Sequence, residues 1–109
     1  DTSLRRFKRG TVLSYAFVVF NAKLDTTLRP NLTMQVRVFR DGKPIMEGSP
    51  EPVSYEGQTD LKRIGTGGSL SLGGGMEVGD YVLQITLRDT LVITKQQSAT
   101  QYVQFEVIE

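Results

Sequence analysis

The residues able to do chemistry in this chain are few. Its 109 residues include no histidine and no cysteine, which removes Ser-His-Asp and Cys-His nucleophile systems and the usual zinc ligand sets. Carboxylates, lysines and tyrosines remain. Asp25, Asp41, Glu47, Glu51, Glu56, Asp60, Glu77, Asp80 and Asp89 are scattered over turn-like stretches and strand ends, where carboxylates cap backbone N–H groups or face water. No two are marked as a glycosidase couple, and no Asp-x-Asp-x-Asp run offers calcium a converging set of oxygens. The glycine runs Gly65-Thr66-Gly67-Gly68 and Gly73-Gly74-Gly75 lack the Lys-Ser/Thr and the helix start that a phosphate cradle needs. They read as turn glycines supplying positive φ. Asn31-Leu32-Thr33 matches a glycosylation sequon and is read as coincidence. The sequence thus predicts no catalytic residue, no metal and no cofactor, and the chain is not expected to be an enzyme.

Binding chemistry is better represented. Arg5, Arg6, Lys8 and Arg9 form the one dense basic cluster. It can dock an acidic partner or headgroup, or it can guard an edge strand against edge-to-edge pairing; the second reading is preferred. Nucleic-acid binding would want exposed aromatics beside these cations, and the nearby Phe7 reads as core. A formal net charge of +1 adds no pull toward nucleic acid or acidic membranes. No run approaches the roughly 20 apolar residues of a spanning helix. For sugars, the chain offers no tryptophan and four tyrosines. Tyr15 and Tyr81 are expected to be structural, which leaves Tyr55 and Tyr102 as a thin platform.

The candidate partner contact is Leu91, Val92 and Ile93, within Asp89-Thr90-Leu91-Val92-Ile93-Thr94-Lys95. Three consecutive apolar residues at a hairpin tip are out of place unless something covers them. Either they close the end of the fold, or they touch a protein: a neighbouring domain of the same chain or a second copy.

The elements that must position these residues are all strands. The organising stretch is Asp80–Arg88, where Tyr81, Leu83, Ile85 and Leu87 recur at every second position, the period of a strand with one face buried. Leu32, Met34, Val36 and Val38 alternate likewise, and Val103, Phe105 and Val107 do so within a last strand at Ala99–Ile108. Thr11–Ala22 is apolar on both faces, with Leu13, Tyr15, Phe17 and Val19 on one and Val12, Ala16, Val18 and Phe20 on the other. Such a strand sits centrally or carries a partner on its second side; the mixed outer face of an ordinary sandwich strand is the preferred reading. Asp41-Gly42 predicts a type I′ hairpin returning through a short edge strand, Pro44–Glu47. Leu4–Lys8, Val53–Glu56 and Ser69–Leu72 are further short strands. Asn21–Asn31 is a polar connection, and Gly65, Gly67 and Gly68 bracket a turn.

Seven or eight short strands with turn signals between them and no useful amphipathic helix predict an all-β, immunoglobulin-like antiparallel sandwich, with a small closed barrel as the second choice. At this length a single domain, residues 1–109, buries roughly 65% of its unfolded surface and needs neither disulfide nor metal.

Two features suggest relatives. Gly79-Asp80-Tyr81 resembles the tyrosine corner of Ig-like sandwiches, in which the Tyr hydroxyl bonds an upstream backbone group. Phe7-Lys8-Arg9-Gly10-Thr11, Phe20-Asn21-Ala22, Phe39-Arg40-Asp41-Gly42-Lys43-Pro44, Asp60-Leu61-Lys62-Arg63, Gly79 to Gln84 and Ala99 to Val107 follow in order. Together this string resembles the C-terminal domain of acidobacterial von Willebrand factor A-related proteins. The resemblance implies a module cut from a longer exported or surface-associated protein, following an A-type domain. It implies no catalytic or binding residue. The expected function is a non-catalytic structural or protein-interaction module; the alternative is a carbohydrate-binding sandwich.

Overall fold

A computed structural model describes residues 5–93 and 98–109; Leu4, Thr94 and Lys95 of the stretches above lie outside them. The elements are β1 (Arg5–Lys8), β2 (Val12–Phe20), β3 (Leu32–Arg40), β4 (Lys43–Glu47), β5 (Glu51–Pro52), β6 (Arg63–Ser71), β7 (Gly79–Asp89) and β8 (Ser98–Ile108). They form two sheets. One is ordered β1-β8-β7-β3-β4, with β5 also on β3, and the other pairs β2 with β6. The fold is the expected all-β sandwich.

β7 is central, flanked by β3 and β8. Its alternation works as predicted: Tyr81, Leu83 and Ile85 are buried, and the register sets Leu83 between Val38 and Val103. The opposite wall of the core comes from β2, β6 and the residue that follows β6, through Leu13, Tyr15, Phe17, Leu70 and Leu72. Because a one-residue slip would turn every one of these side chains outward, burial of one face locks the register. Phe105 is fully buried, stacked on Tyr81 with centroids 5.4 Å apart and met edge-on by Phe7 at 6.2 Å. Phe7 is therefore a core residue.

The Asp41-Gly42 hairpin has φ of 52° and 77° at its two central residues, as a type I′ turn requires. The tyrosine corner also forms: the Tyr81 hydroxyl donates to the Glu77 carbonyl at 2.6 Å. A second clamp braces the same crossover, since Arg40 pairs with Glu77, donates to the Val78 carbonyl at 3.2 Å and lies 5.5 Å above the Tyr81 ring.

Three expectations change. β1 runs parallel to β8, so the larger sheet is mixed rather than wholly antiparallel. Val53–Glu56 is not a strand; the ladder with β3 ends at Pro52, followed by one bond from the Val53 N–H to the Leu32 carbonyl at 2.9 Å. Gly65, Gly67 and Gly68 lie inside β6, paired with Val18, Ala16 and Tyr15, and none of them has positive φ, nor do Gly73, Gly74 and Gly75. Gly67 and Gly68 answer to close packing. A side chain at Gly67 would collide with the Tyr15 carbonyl, and a Cβ at Gly68 would lie 2.6 Å from the Tyr15 hydroxyl. The Tyr15 ring thus covers a strand glycine and supplies the packing that glycine lacks.

Candidate interaction surfaces

The tip residues do not share one environment. The Asp89 carboxylate accepts from the N–H groups of Leu91 at 3.1 Å and Lys23 at 2.9 Å, tying the tip to the connection before β3. Leu91 and Val92 are half-buried, and Val92 lines the same hollow as Phe17, Phe20, Leu32 and Leu87. Ile93 is 93% exposed. The structure therefore divides the candidate contact into two inward residues and one fully presented to solvent.

β2 presents the larger apolar surface. Its inward residues are Leu13, Tyr15, Phe17 and Val19, and its outward ones are exposed, Val12 by 56% and Phe20 by 61%. Among the described residues β2 has β6 as its one strand partner, so it is not central there. Its outer face is flanked by Gly65 and Gly67, which add no covering side chain. Arg63 reaches over the Phe20 ring at 5.7 Å, a cation–π contact at the end of an otherwise uncharged strand. Burial pushes the Tyr15 phenol above its ordinary pKa.

The basic cluster lies on an edge strand, the arrangement that blocks sheet-to-sheet pairing. Arg6 pairs with Glu106 at 3.1 Å and Arg9 with Glu109 at 3.8 Å, so half of its charge is matched locally.

The outer face of the larger sheet is polar and ordered in rows. Arg37, Gln84 and Tyr102 are cross-strand neighbours. Arg37 donates to Gln84 at 3.3 Å, which donates to the Tyr102 hydroxyl at 3.3 Å. One row further lie Phe39, Val82 and Gln104. Gln84 and Tyr102 of the first row and all three residues of the second line an open hollow of about 750 Å³, together with Asp80. Tyr102 is 63% exposed and Tyr81 buried, while Tyr55 is half-buried. Of the two tyrosines offered as a sugar platform, Tyr102 alone stands clear, and Phe39 lines the same hollow.

The carboxylates are mostly occupied in turns and pairs. Asp25 accepts from the hydroxyl and N–H of Thr27 at 2.6 and 2.8 Å and from the Arg29 N–H at 3.1 Å. The Thr27 hydroxyl, helped by these N–H groups, holds its pKa below the ordinary carboxylate value. Asp60 accepts from the Lys62 N–H, and Glu47 lies 3.9 Å from Arg37. The Glu77 pair raises the already high pKa of Arg40. Among the described residues no group of three or more acidic side chains converges as metal ligands would, and no helix is long and apolar enough to cross a membrane.

The exposed apolar run of β2 was visible in its sequence, but its lack of cover was not. Nothing in the sequence pointed to the Arg40 clamp, whose partners lie far along the chain. No family model, no curated protein and no solved structure matches this chain in the comparisons made.

Proposed function

We propose that this domain is a non-catalytic structural or protein-interaction module with an immunoglobulin-like sandwich. It serves an exported or surface-associated bacterial protein of the von Willebrand factor A-related kind that its sequence resembles. The observation that carries the interaction reading is the outer face of β2, where Val12, Val18 and Phe20 are exposed on a strand without charge. Exposed apolar surface of this kind is tolerated where a protein covers it. Ile93 at the tip, 93% exposed, is a second contact point on the same module. The strand order and the Tyr81–Glu77 corner support the immunoglobulin-like assignment.

The test is site-specific photocrosslinking in the full-length protein within its native cells. A crosslinking side chain in place of Phe20 should capture protein, either a neighbouring domain or another copy, while one at Tyr102 should not. The hollow around Tyr102 and Phe39 favours the second reading, a carbohydrate-binding module. Retention of an oligosaccharide that Tyr102→Ala abolishes, with no protein adduct at Phe20, would replace the first reading by the second.

A further inference from the structure

The four margins of the two sheets are not treated alike. β1 lines one with Arg5, Arg6 and Lys8, and β4 opens another with Lys43-Pro44. On β6 the Gln58 side-chain amide occupies Gly65, donating to its carbonyl at 3.0 Å and accepting from its N–H at 2.8 Å. Charge, proline and a capped backbone each discourage pairing with another chain. β2 carries no such device: Val12–Phe20 contains no charged residue, no proline and no glycine.

Its backbone geometry is equally open. On either side of β2, the Leu72 N–H bonds the Thr11 carbonyl and the Asn21 N–H bonds the Lys62 carbonyl. Odd-numbered residues therefore turn their N–H and C=O toward β6. Antiparallel alternation directs those of Val12, Ser14, Ala16, Val18 and Phe20 the other way. Among the described residues no strand other than β6 pairs with β2.

We propose that this margin pairs with the same margin of a second copy of the chain. The two β2 strands run antiparallel about a two-fold axis at Ala16, making a continuous sheet β6–β2–β2–β6. In that register Val12 lies opposite the partner's Phe20, Ser14 opposite the partner's Val18, and Ala16 opposite itself. Every outward N–H and C=O then finds a partner. Large side chains meet smaller ones, and the exposed Val12 and Phe20 become neighbours. A second copy is the fitting occupant because the strand is its own complement in charge and size, and because an isologous pair closes without leaving a new open edge. The pairing deepens the protein-interaction reading and rests on it.

Sedimentation equilibrium of the 109-residue chain tests the proposal. Wild type should dimerise reversibly. Ala16→Lys and Ala16→Glu place like charges across the axis, roughly 5.5 Å apart at Cα, and should each weaken dimerisation by about tenfold or more. An equimolar mixture of the two should restore a dimer containing one of each. Ala16 is exposed opposite Gly67, so thermal melting should report both variants folded. Wild type that stays monomeric up to about 1 mM, variants that dimerise like wild type, or open fibres in place of a closed pair would each overturn it. Crosslinks from Phe20 to a different protein would also remove the self-pairing, yet they would leave the interaction reading standing. No protein adduct at Phe20 would remove both.

Discussion

Tyr81→Phe isolates one hydrogen bond in an otherwise unchanged setting. The ring keeps its stack on Phe105 at 5.4 Å and its contact with Arg40 at 5.5 Å. What disappears is the 2.6 Å bond from the hydroxyl to the Glu77 carbonyl. A protein hydrogen bond contributes about 0.5–1.5 kcal/mol net. Glu77 is exposed, so its released carbonyl can turn to water and the added desolvation cost is small. The expected loss is about 1 kcal/mol, or about 4–8 °C in Tm for a domain near this size. Tyr81→Ala also deletes a buried ring and should cost about 3–5 kcal/mol. Urea unfolding of the three proteins provides the assay, with the midpoint falling in that order and an unchanged slope. A Phe variant with the wild-type midpoint would refute the idea that the corner bond holds the crossover. A Phe variant as weak as the Ala variant would show that the hydroxyl carries more than this bond.

Other outcomes follow from the same geometry. Gly68→Ala drives a methyl into the Tyr15 hydroxyl and should cost about 1–3 kcal/mol by overpacking; the double variant with Tyr15→Ala should show the two changes to be non-additive in denaturant unfolding. The Asp25 carboxyl should titrate below the ordinary carboxylate value in an NMR pH series. Its folded pKa is depressed, so its contribution is present above the unfolded pKa, near 3.9, and is lost as pH falls through the folded one. Thr27→Ala should move that titration back up. At the tip, Ile93→Ser should change stability by no more than about 0.5 kcal/mol, as surface substitutions do. Leu91→Ser and Val92→Ser, at half-buried positions, should lower the melting temperature measurably.

The period-two pattern was enough to place β3, β7 and β8, because each buries one face and each inward position must therefore be apolar. Tyr81 and the Asp41-Gly42 turn were equally legible, being local devices whose partners lie within a few residues. The roles that escaped the sequence depend on residues remote from one another. Gly65, Gly67 and Gly68 look like a turn until β2 is laid beside them, and at Gly67 and Gly68 Tyr15 is found to occupy the space a side chain would need. Whether β1 joins its neighbour parallel or antiparallel is decided by which sheet margin is available, and that is a property of the assembled sheet. The tip Leu91-Val92-Ile93 reads as one apolar run, yet the Asp89 clasp directs two of its residues inward and presents the third to solvent. For β2 the residue types alone established an uncharged strand apolar on both faces. Only the tertiary structure, which among the described residues pairs that strand with β6 alone and leaves Val12, Val18 and Phe20 exposed, decided which of its two apolar faces is turned to the core.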